Sequence, residues 1–375
     1  MEAIEQLVAW AQANGVVMDG IGPRQLPGRG IGIVATRDLE ANQVVLTVPT
    51  TLLRSLGNTP KPILGQLKGA TVHAILATAL CLDETPEFAL WKAVFPTQQD
   101  VAASMPLSWP PDLQALLPAA AKALLDKQSA KFARDWALVS AAYPGLARDA
   151  FLYAWHLINS RTFYHTTRRT QTRRPREDHM VLQPVADLFN HAPDGPLCHV
   201  SFDEDRFTIT AGGPCRRGDE LFIRYGPHSN DFLLVEYGFI LPGRLNRWDE
   251  MALDPYLCPL FTPRQRRTLE EAGFWGRYML DSETACYRTH TALRLLCLSE
   301  PQWTAVLDGR RDEDEDAEAV AGELGRVLRS CETDVRSKLV ELHRCAAAEE
   351  ETADRLRQRW LQMKELVVAS MARLQ

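Results

Sequence analysis

The sequence lacks the cysteine patterns that mark metal-binding and disulfide-stapled proteins. Only eight of its 375 residues are cysteine, and they stand singly, with no CxxC or CxC pair. Structural zinc sites usually place cysteines in such closely spaced pairs. We therefore expect these thiols to be reduced and mostly buried, and we predict no metal site.

Long apolar runs and a surplus of basic residues are also missing. The longest apolar stretch, around Ala74–Leu82, is far shorter than the ~20 residues that span a bilayer. Glu2 and Glu5 occupy positions where a secretory signal peptide carries basic residues. The net charge is −6, whereas chains that bind nucleic acid usually carry a basic surplus. We expect an intracellular protein, cytoplasmic or nuclear, that acts on neither a membrane nor a nucleic acid. Its oligomeric state is left open.

The composition that remains is that of an ordinary globular protein, with 46% apolar and 24% charged residues. A chain of 375 residues is longer than a single core usually requires, so two domains are expected. Strand patterns dominate the first part, interrupted by a helical insert at about 60–150. Strand signals fade beyond about Arg247. The sequence thus predicts an α+β fold with a catalytic domain over 1–246 and an all-helical domain over 247–375.

Short β-branched runs place strands on both sides of the insert. Ile31–Thr36 and Val44–Val48 flank a turn at 40–42, and we expect them to pair with each other. Further strands are predicted at His199–Phe202, Phe207–Ala211 and Glu220–Tyr225. Helical periodicity predicts helices over Pro263–Ala272, Glu318–Ser330 and Asp334–Leu374.

Three short segments contain residues that could carry chemistry. Arg29-Gly30-Ile31-Gly32 lets the backbone approach a ligand, because glycine has no Cβ, but it is not the GxGxxG of a dinucleotide site. In Asp187–His191 (DLFNH), the i,i+4 spacing of Asp187 and His191 would suit a metal only on a helix. Asn190 and the nearby Pro193 favour a turn instead. Tyr225 ends a predicted strand beside Gly226, where a half-buried aromatic is common. Each segment alone is compatible with a purely structural role.

The order of these segments is more specific than any one of them. It resembles the SET-domain lysine methyltransferases, and within them the branch typified by the Rubisco large-subunit methyltransferase. The segments that carry the resemblance are Gly28–Gly32, Asn159–Phe163, Asp187–His191, Gly218–Glu220, Ile223–Gly226 and the GxxSN…YGF run from Gly226 to Phe239. The helical insert and the helical C-terminal part also fit this branch.

The resemblance implies a SET-domain β fold with a pseudoknot, in which the segment of Asn190 and His191 crosses the strand of Tyr225. It also implies S-adenosylmethionine as the cofactor. The cofactor-binding residues would be Arg29, Gly30, Ile31, Arg161, Asp187, Asn190, His191 and Tyr225. Arg161 would bind the cofactor carboxylate, for which a planar guanidinium is well suited.

The catalytic residues implied by the resemblance are Tyr225 and Tyr237, and the substrate channel would be lined by Phe163, Tyr237 and Phe239. Methyl transfer requires a neutral amine, and free lysine has a pKa of about 10.4, so a narrow aromatic channel must favour the neutral form. A branch member that methylates histidine has a polar residue in place of Phe163. A phenyl ring cannot bond to an imidazole nitrogen, so lysine is the expected acceptor.

The substrate is expected to be a non-histone protein, held partly by the C-terminal helical domain. Two alternatives stay open, namely a cofactor-binding scaffold without transfer activity and an enzyme that modifies a small molecule, a peptide or histidine. The basic loop Arg168–Arg176 is either a solvated loop or a surface that recognises an acidic partner.

Overall fold

The computed structural model describes residues 2–166, 179–345 and 350–374. The basic loop Arg168–Arg176 lies outside the described residues. The chain forms two compact units, one of Met1–Met105 with Lys127–Pro227 and one of Pro106–Asp126 with His228–Gln375. The division into domains 1–246 and 247–375 stays a prediction.

Among its described residues, the first unit contains two four-stranded sheets, with the strand orders β1-β4-β9-β8 and β2-β3-β10-β7. Their strands are β1 (Val17–Met18), β2 (Ile21–Leu26), β3 (Gly30–Ala35), β4 (Val44–Pro49), β7 (Asn190–His191), β8 (His199–Phe202), β9 (Arg206–Thr210) and β10 (Glu220–Ile223). A separate pair joins β5 (Phe163–Tyr164) to β6 (Met180–Val181). The predicted strands are present, with bounds shifted by at most two residues.

The predicted pairing of the first two strands with each other is wrong. β3 pairs with β2 and β10, whereas β4 pairs with β1 and β9. The connection between β3 and β4 is not a hairpin turn. Leu39, which lies in it, forms an isolated bridge with Cys215, and the backbone N–H of each residue donates to the carbonyl oxygen of the other. The two strands are interior strands of different sheets, which a local pattern cannot show.

Helices pack on one another in the rest of the first unit. They are α1 (Glu2–Ala13), α2 (Lys61–Gln66), α3 (Val72–Leu82), α4 (Pro86–Lys92), α5 (Gln98–Ser104), the 127–142 part of α7 (Ala119–Ala142) and α8 (Arg148–Arg161). Side chains of Thr71, Thr85 and Thr97 cap α3, α4 and α5 by accepting backbone N–H bonds. The insert predicted at about 60–150 is therefore helical.

A buried histidine lies where α3 packs against α8. The His73 ring stacks on Trp155, with ring centroids 4.1 Å apart. Its Nε2 lies 2.8 Å from the Trp155 carbonyl oxygen and its Nδ1 lies 3.0 Å from the Lys131 ammonium. Because an ammonium can only donate, Nδ1 accepts and the imidazole is neutral. Burial, and next the charge of Lys131, lower the pKa of His73 well below its usual value.

This histidine makes the protein less stable in mild acid. The unfolded chain binds a proton at His73 near pH 6.5 while the folded chain does not, so the free energy of unfolding falls as the pH drops below that value. The slope from one such histidine is at most about 1.4 kcal/mol per pH unit. In urea titrations between about pH 7.5 and 5.5, His73→Gln should show a shallower loss of stability than the wild type. The exposed His199→Gln should keep the wild-type slope, and equal slopes in all three proteins would contradict the assignment.

The second unit is mostly helical. It contains α6 (Pro111–Gln114), residues 119–126 of α7, α9 (Asn230–Tyr237), α10 (Asp254–Leu257), α11 (Pro263–Glu271), α12 (Tyr287–Cys297), α13 (Glu300–Leu307), α14 (Ala317–Cys345) and α15 (Glu350–Arg373). It also holds a two-stranded antiparallel sheet that was not predicted, β11 (Glu250–Ala252) with β12 (Met279–Asp281). No helix in the described part of the chain is long and apolar enough to cross a membrane.

The helix break predicted near residues 331–333 does not occur. α14 continues through it, because Leu328, Cys331 and Val335 are fully buried and continue one apolar stripe at helical spacing. Asp334 does not cap a new helix, since its carboxylate accepts the hydroxyl of Tyr256 at 2.7 Å.

Candidate functional site

Two segments singled out in the sequence lie side by side in the first unit. β7 runs parallel to β10, with Asn190 opposite Phe222 and His191 opposite Ile223. A short 3₁₀ helix over Ala186–Leu188 precedes β7, so the segment from Asp187 to His191 is not α-helical. The side chains of Asp187 and His191 therefore do not share a helix face, and no cluster of three metal-ligating side chains occurs in the described ranges.

A polar cluster joins the glycine-rich strand β3 to these two strands. The Asn190 Nδ2 donates to Glu220 Oε1 at 2.8 Å, and Arg29 forms an ion pair with Glu220 Oε2 at 2.8 Å. A Cβ on Gly32 would lie 2.7 Å from Glu220 Oε1 and 2.8 Å from Asn190 Nδ2. A side chain at position 32 would therefore force the two partners of this hydrogen bond to move. Gly30 is glycine for another reason, since its φ of 70° is left-handed.

A second cluster surrounds Asp187, which is buried. The Arg161 guanidinium donates to the Asp187 carbonyl oxygen at 2.8 Å, and the Trp91 indole donates to Asp187 Oδ2 at 3.1 Å. Burial raises the pKa of the Asp187 carboxyl to about 6, against the opposing effects of Arg161 and Trp91. Keeping this carboxyl group ionised at pH 7 therefore costs free energy, because burial disfavours the charged form.

The Tyr225 side chain is fixed by two contacts. Its hydroxyl donates to the Phe189 carbonyl oxygen at 2.8 Å, and its ring stacks on His191 with centroids 5.1 Å apart. Its backbone N–H also donates to His191 Nδ1 at 3.2 Å, which leaves the proton of a neutral imidazole on Nε2. Since the Tyr225 hydroxyl donates its hydrogen to the Phe189 carbonyl, its oxygen can still accept a hydrogen bond through its lone pairs.

The three predicted channel residues have different surroundings. Phe163 lies on β5, and its ring packs edge-on against the buried Phe207 at 5.2 Å. Tyr237 and Phe239 belong to the second unit, with ring centroids 6.3 Å apart. Burial, and next the charge of Glu236, raise the pKa of Tyr237 to about 12, so its phenol stays neutral at physiological pH. The lining of a substrate channel by these residues stays a prediction.

Sequence reasoning missed two residues that hold the site together. Glu220, the first residue of β10, was not assigned to the site, although it forms an ion pair with Arg29 and accepts a hydrogen bond from Asn190. Trp91 lies 96 residues before Asp187, inside the helical insert. A carboxylate at the start of a strand can be found by its position, but no local signal marks Trp91.

Two family models match this chain, over two successive parts of it. The SET domain family model matches residues 30–226, and the model for the ribosomal lysine N-methyltransferase 2 C-terminal domain matches residues 249–373. SET domain-containing protein 4 of Mus musculus is 28% identical over 309 residues, which cover 76% of this chain and 70% of that protein. Ribosomal lysine N-methyltransferase set11 of Schizosaccharomyces pombe is 27% identical over 309 residues, covering 79% and 75% respectively.

A solved structure shows the same fold. The crystal structure of the SET domain of LSMT bound to lysine and AdoHcy superposes with a TM-score of 0.64 at 17% identity, covering 100% of this chain and 91% of that one. The predicted fold, a SET domain followed by a helical C-terminal region, is confirmed. Because the SET domain match covers more than half of the 375 residues, the chain belongs to the SET-domain family.

Proposed function

We propose that this chain is an S-adenosylmethionine-dependent protein lysine N-methyltransferase. The observation that carries the proposal is the parallel pairing of β7 with β10, which brings Asn190, His191 and Tyr225 together in one unit. Family membership supports it, as do the names of relatives that methylate lysine.

The residues present fit this cofactor. S-adenosylmethionine carries a carboxylate, an ammonium group and a ribose diol, so its site needs both cations and acceptors. Arg161 and Arg29 supply guanidinium groups. The Asp187 Oδ1 atom is buried and accepts no hydrogen bond from the residues that the structure describes. Such an atom is costly unless a ligand pairs with it. Arg29, Gly30, Ile31, Arg161, Asp187, Asn190, His191 and Tyr225 are the proposed cofactor-binding residues.

The chemistry expected of this chain is positioning. When bound, S-adenosylmethionine supplies a methyl group on a positively charged sulfur, which a neutral amine can attack. Tyr225 would orient that amine through its lone pairs, because its own proton is engaged by the Phe189 carbonyl. Phe163, Tyr237 and Phe239 are proposed to exclude water from the lysine, which favours the neutral amine. Fixed geometry then supplies much of the rate enhancement.

A lysine acceptor is favoured over histidine by Phe163, whose phenyl ring offers no hydrogen bond to an imidazole. We propose a non-histone protein substrate, held partly by the helical C-terminal region. Since two of the matched names refer to ribosomal lysine methylation, ribosomal proteins are the first substrates to test. An intracellular location, cytoplasmic or nuclear, is part of the same proposal.

Transfer of a labelled methyl group from S-adenosylmethionine to proteins of a lysate tests the function. Hydrolysis of the labelled proteins should yield methyllysine. Methylhistidine instead would move the acceptor to histidine, and cofactor binding without any labelled product would favour a scaffold.

Arg161→Ala is expected to weaken S-adenosylmethionine binding about 10- to 100-fold, since hydrogen bonds to charged groups contribute about 1.5–3 kcal/mol. Isothermal titration calorimetry measures the change in Kd. Arg148→Ala on the same helix is the matched control, because the Arg148 side chain is 57% exposed. Equal affinities for both variants would remove Arg161 from the cofactor site.

A further inference from the structure

A fully buried arginine lies at the centre of a polar network in the second unit. Arg359, on α15, has none of its side chain exposed. Its Nε donates to Asp231 at 2.7 Å, its NH1 donates to Asp249 at 2.7 Å, and its NH2 donates to the Glu250 carbonyl oxygen at 3.0 Å. One guanidinium therefore binds two carboxylates from a part of the chain that is distant from Arg359 in sequence.

Gln362, less than one turn further along α15, extends the network. Its Oε1 accepts from Asn230 Nδ2 at 2.9 Å, and its Nε2 donates to the Leu241 carbonyl oxygen at 2.8 Å. Asn230 Oδ1 in turn accepts from the Leu241 amide at 3.2 Å and from Asn246 Nδ2 at 3.0 Å. The backbone N–H of Asn230 donates to Asp249 Oδ1 at 2.9 Å. Every polar group of the Asn230 side chain is thus engaged.

The network forms hydrogen bonds at both ends of the segment 230–241. Asn230 and Asp231 open α9, which ends at Tyr237, and Leu241 follows four residues later. Gly238 ends the helix in the left-handed conformation, with a φ of 78°. A helix of eight residues is not stable by itself, because nucleation is costly, so its position depends on tertiary contacts.

Simple stabilisation would not require charges here. Much of the core that α15 contributes to is apolar, with Leu356, Trp360, Met363 and Val367 all buried. Replacing a buried ion-pair network by packed apolar side chains is often neutral or stabilising, because desolvating charges is costly. Unlike apolar packing, directional hydrogen bonds fix a single register for the elements that they join.

We propose that Arg359 and Gln362 are positioning residues for methyl transfer, through which α15 fixes the segment that carries Tyr237 and Phe239. The proposal rests on the proposed function, in which those two aromatic residues line the substrate channel. It makes the C-terminal helix part of the catalytic apparatus in addition to any role in holding the substrate protein.

Gln362→Ala tests this without leaving a buried charge unpaired. Gln358→Ala is the matched control, because Gln358 is exposed on the same helix and donates to Asp354, one turn earlier on that helix. Hydrogen exchange followed by mass spectrometry should show amides of 230–241 exchanging about 10-fold faster in Gln362→Ala, and unchanged in Gln358→Ala. Arg359→Lys, which keeps the charge but loses the planar fork of N–H donors, should also accelerate exchange there.

The effect of the network on catalysis is measured by the ratio of methyllysine products and by kcat. At matched total turnover, Gln362→Ala should change the ratio of mono- to di- and trimethyllysine and lower kcat, while the Kd for S-adenosylmethionine stays at the wild-type value. A fraction of unfolded enzyme would lower the rate but leave the product ratio unchanged.

Unaltered exchange in 230–241, or altered exchange with a wild-type product ratio and kcat, would overturn the proposal. Absence of methyl transfer by the wild-type chain would instead overturn the proposed function, together with any catalytic role for the network.

Discussion

Tyr225→Phe is expected to lower kcat for methyl transfer by about 10²-fold or more while the protein stays folded. The substitution removes only the hydroxyl, whose hydrogen bond to Phe189 measures 2.8 Å. The ring still stacks on His191 and the backbone N–H still bonds to its Nδ1. What is lost is the oxygen proposed to orient the attacking amine, so the effect should fall on kcat and leave the Kd of S-adenosylmethionine nearly unchanged.

The measurement is initial-rate transfer of labelled methyl groups, with the thermal midpoint recorded for each protein. Tyr287→Phe is the control, since Tyr287 is 58% exposed and loses the same hydroxyl. Methyl transfer by Tyr225→Phe at a rate within a few-fold of wild type would exclude Tyr225 as a catalytic residue.

Arg359→Met should reduce the free energy of unfolding by about 3–5 kcal/mol, because it leaves the carboxylates of Asp231 and Asp249 buried without their cation. Both carboxylates lie 2.7 Å from the guanidinium, and the side chains of Asp231 and Asp249 are 2% and 10% exposed. Burial raises the pKa of Asp231, and the neighbouring charge of Asp249 acts in the same direction, so losing the arginine leaves two charges that also repel. Denaturation by urea measures the loss.

Two further variants separate charge from packing. The triple variant Arg359→Met, Asp231→Asn, Asp249→Asn removes the unpaired charges and should recover a substantial part of the stability. Arg264→Met breaks an ion pair with Glu300 on the surface, where the Arg264 side chain is 80% exposed, and should cost about 1 kcal/mol or less. If Arg359→Met were no more destabilising than Arg264→Met, the buried network would contribute little.

The local features of this protein could be predicted because they depend on neighbouring residues. The strand His199–Phe202 has the predicted bounds, and the helix predicted over Pro263–Ala272 is present over Pro263–Glu271. The non-helical form of Asp187–His191 followed from Asn190 and the nearby Pro193. The position of Asn190 beside the strand that leads to Tyr225 came from the family resemblance.

Long-range partners could not be predicted in this way. β3 and β4 are adjacent in the sequence and have the composition of a strand pair, yet each lies between two other strands. Trp91 bonds to Asp187 across 96 residues, and Arg359 bonds to Asp231 across 128. Neither tryptophan nor arginine stands in a pattern that distinguishes it from its neighbours.

The sequence by itself determined the predicted strands of the first unit, the family and the residues proposed for chemistry, since turn formation, strand periodicity and the order of motifs are properties of short segments. The tertiary structure alone decided which carboxylates receive a cation. It pairs Glu220 with Arg29 and places Arg359 between Asp231 and Asp249. The reason is physical, because a buried charge is tolerated only where the fold brings a partner within hydrogen-bond distance, and that distance is set by packing between elements far apart in the chain.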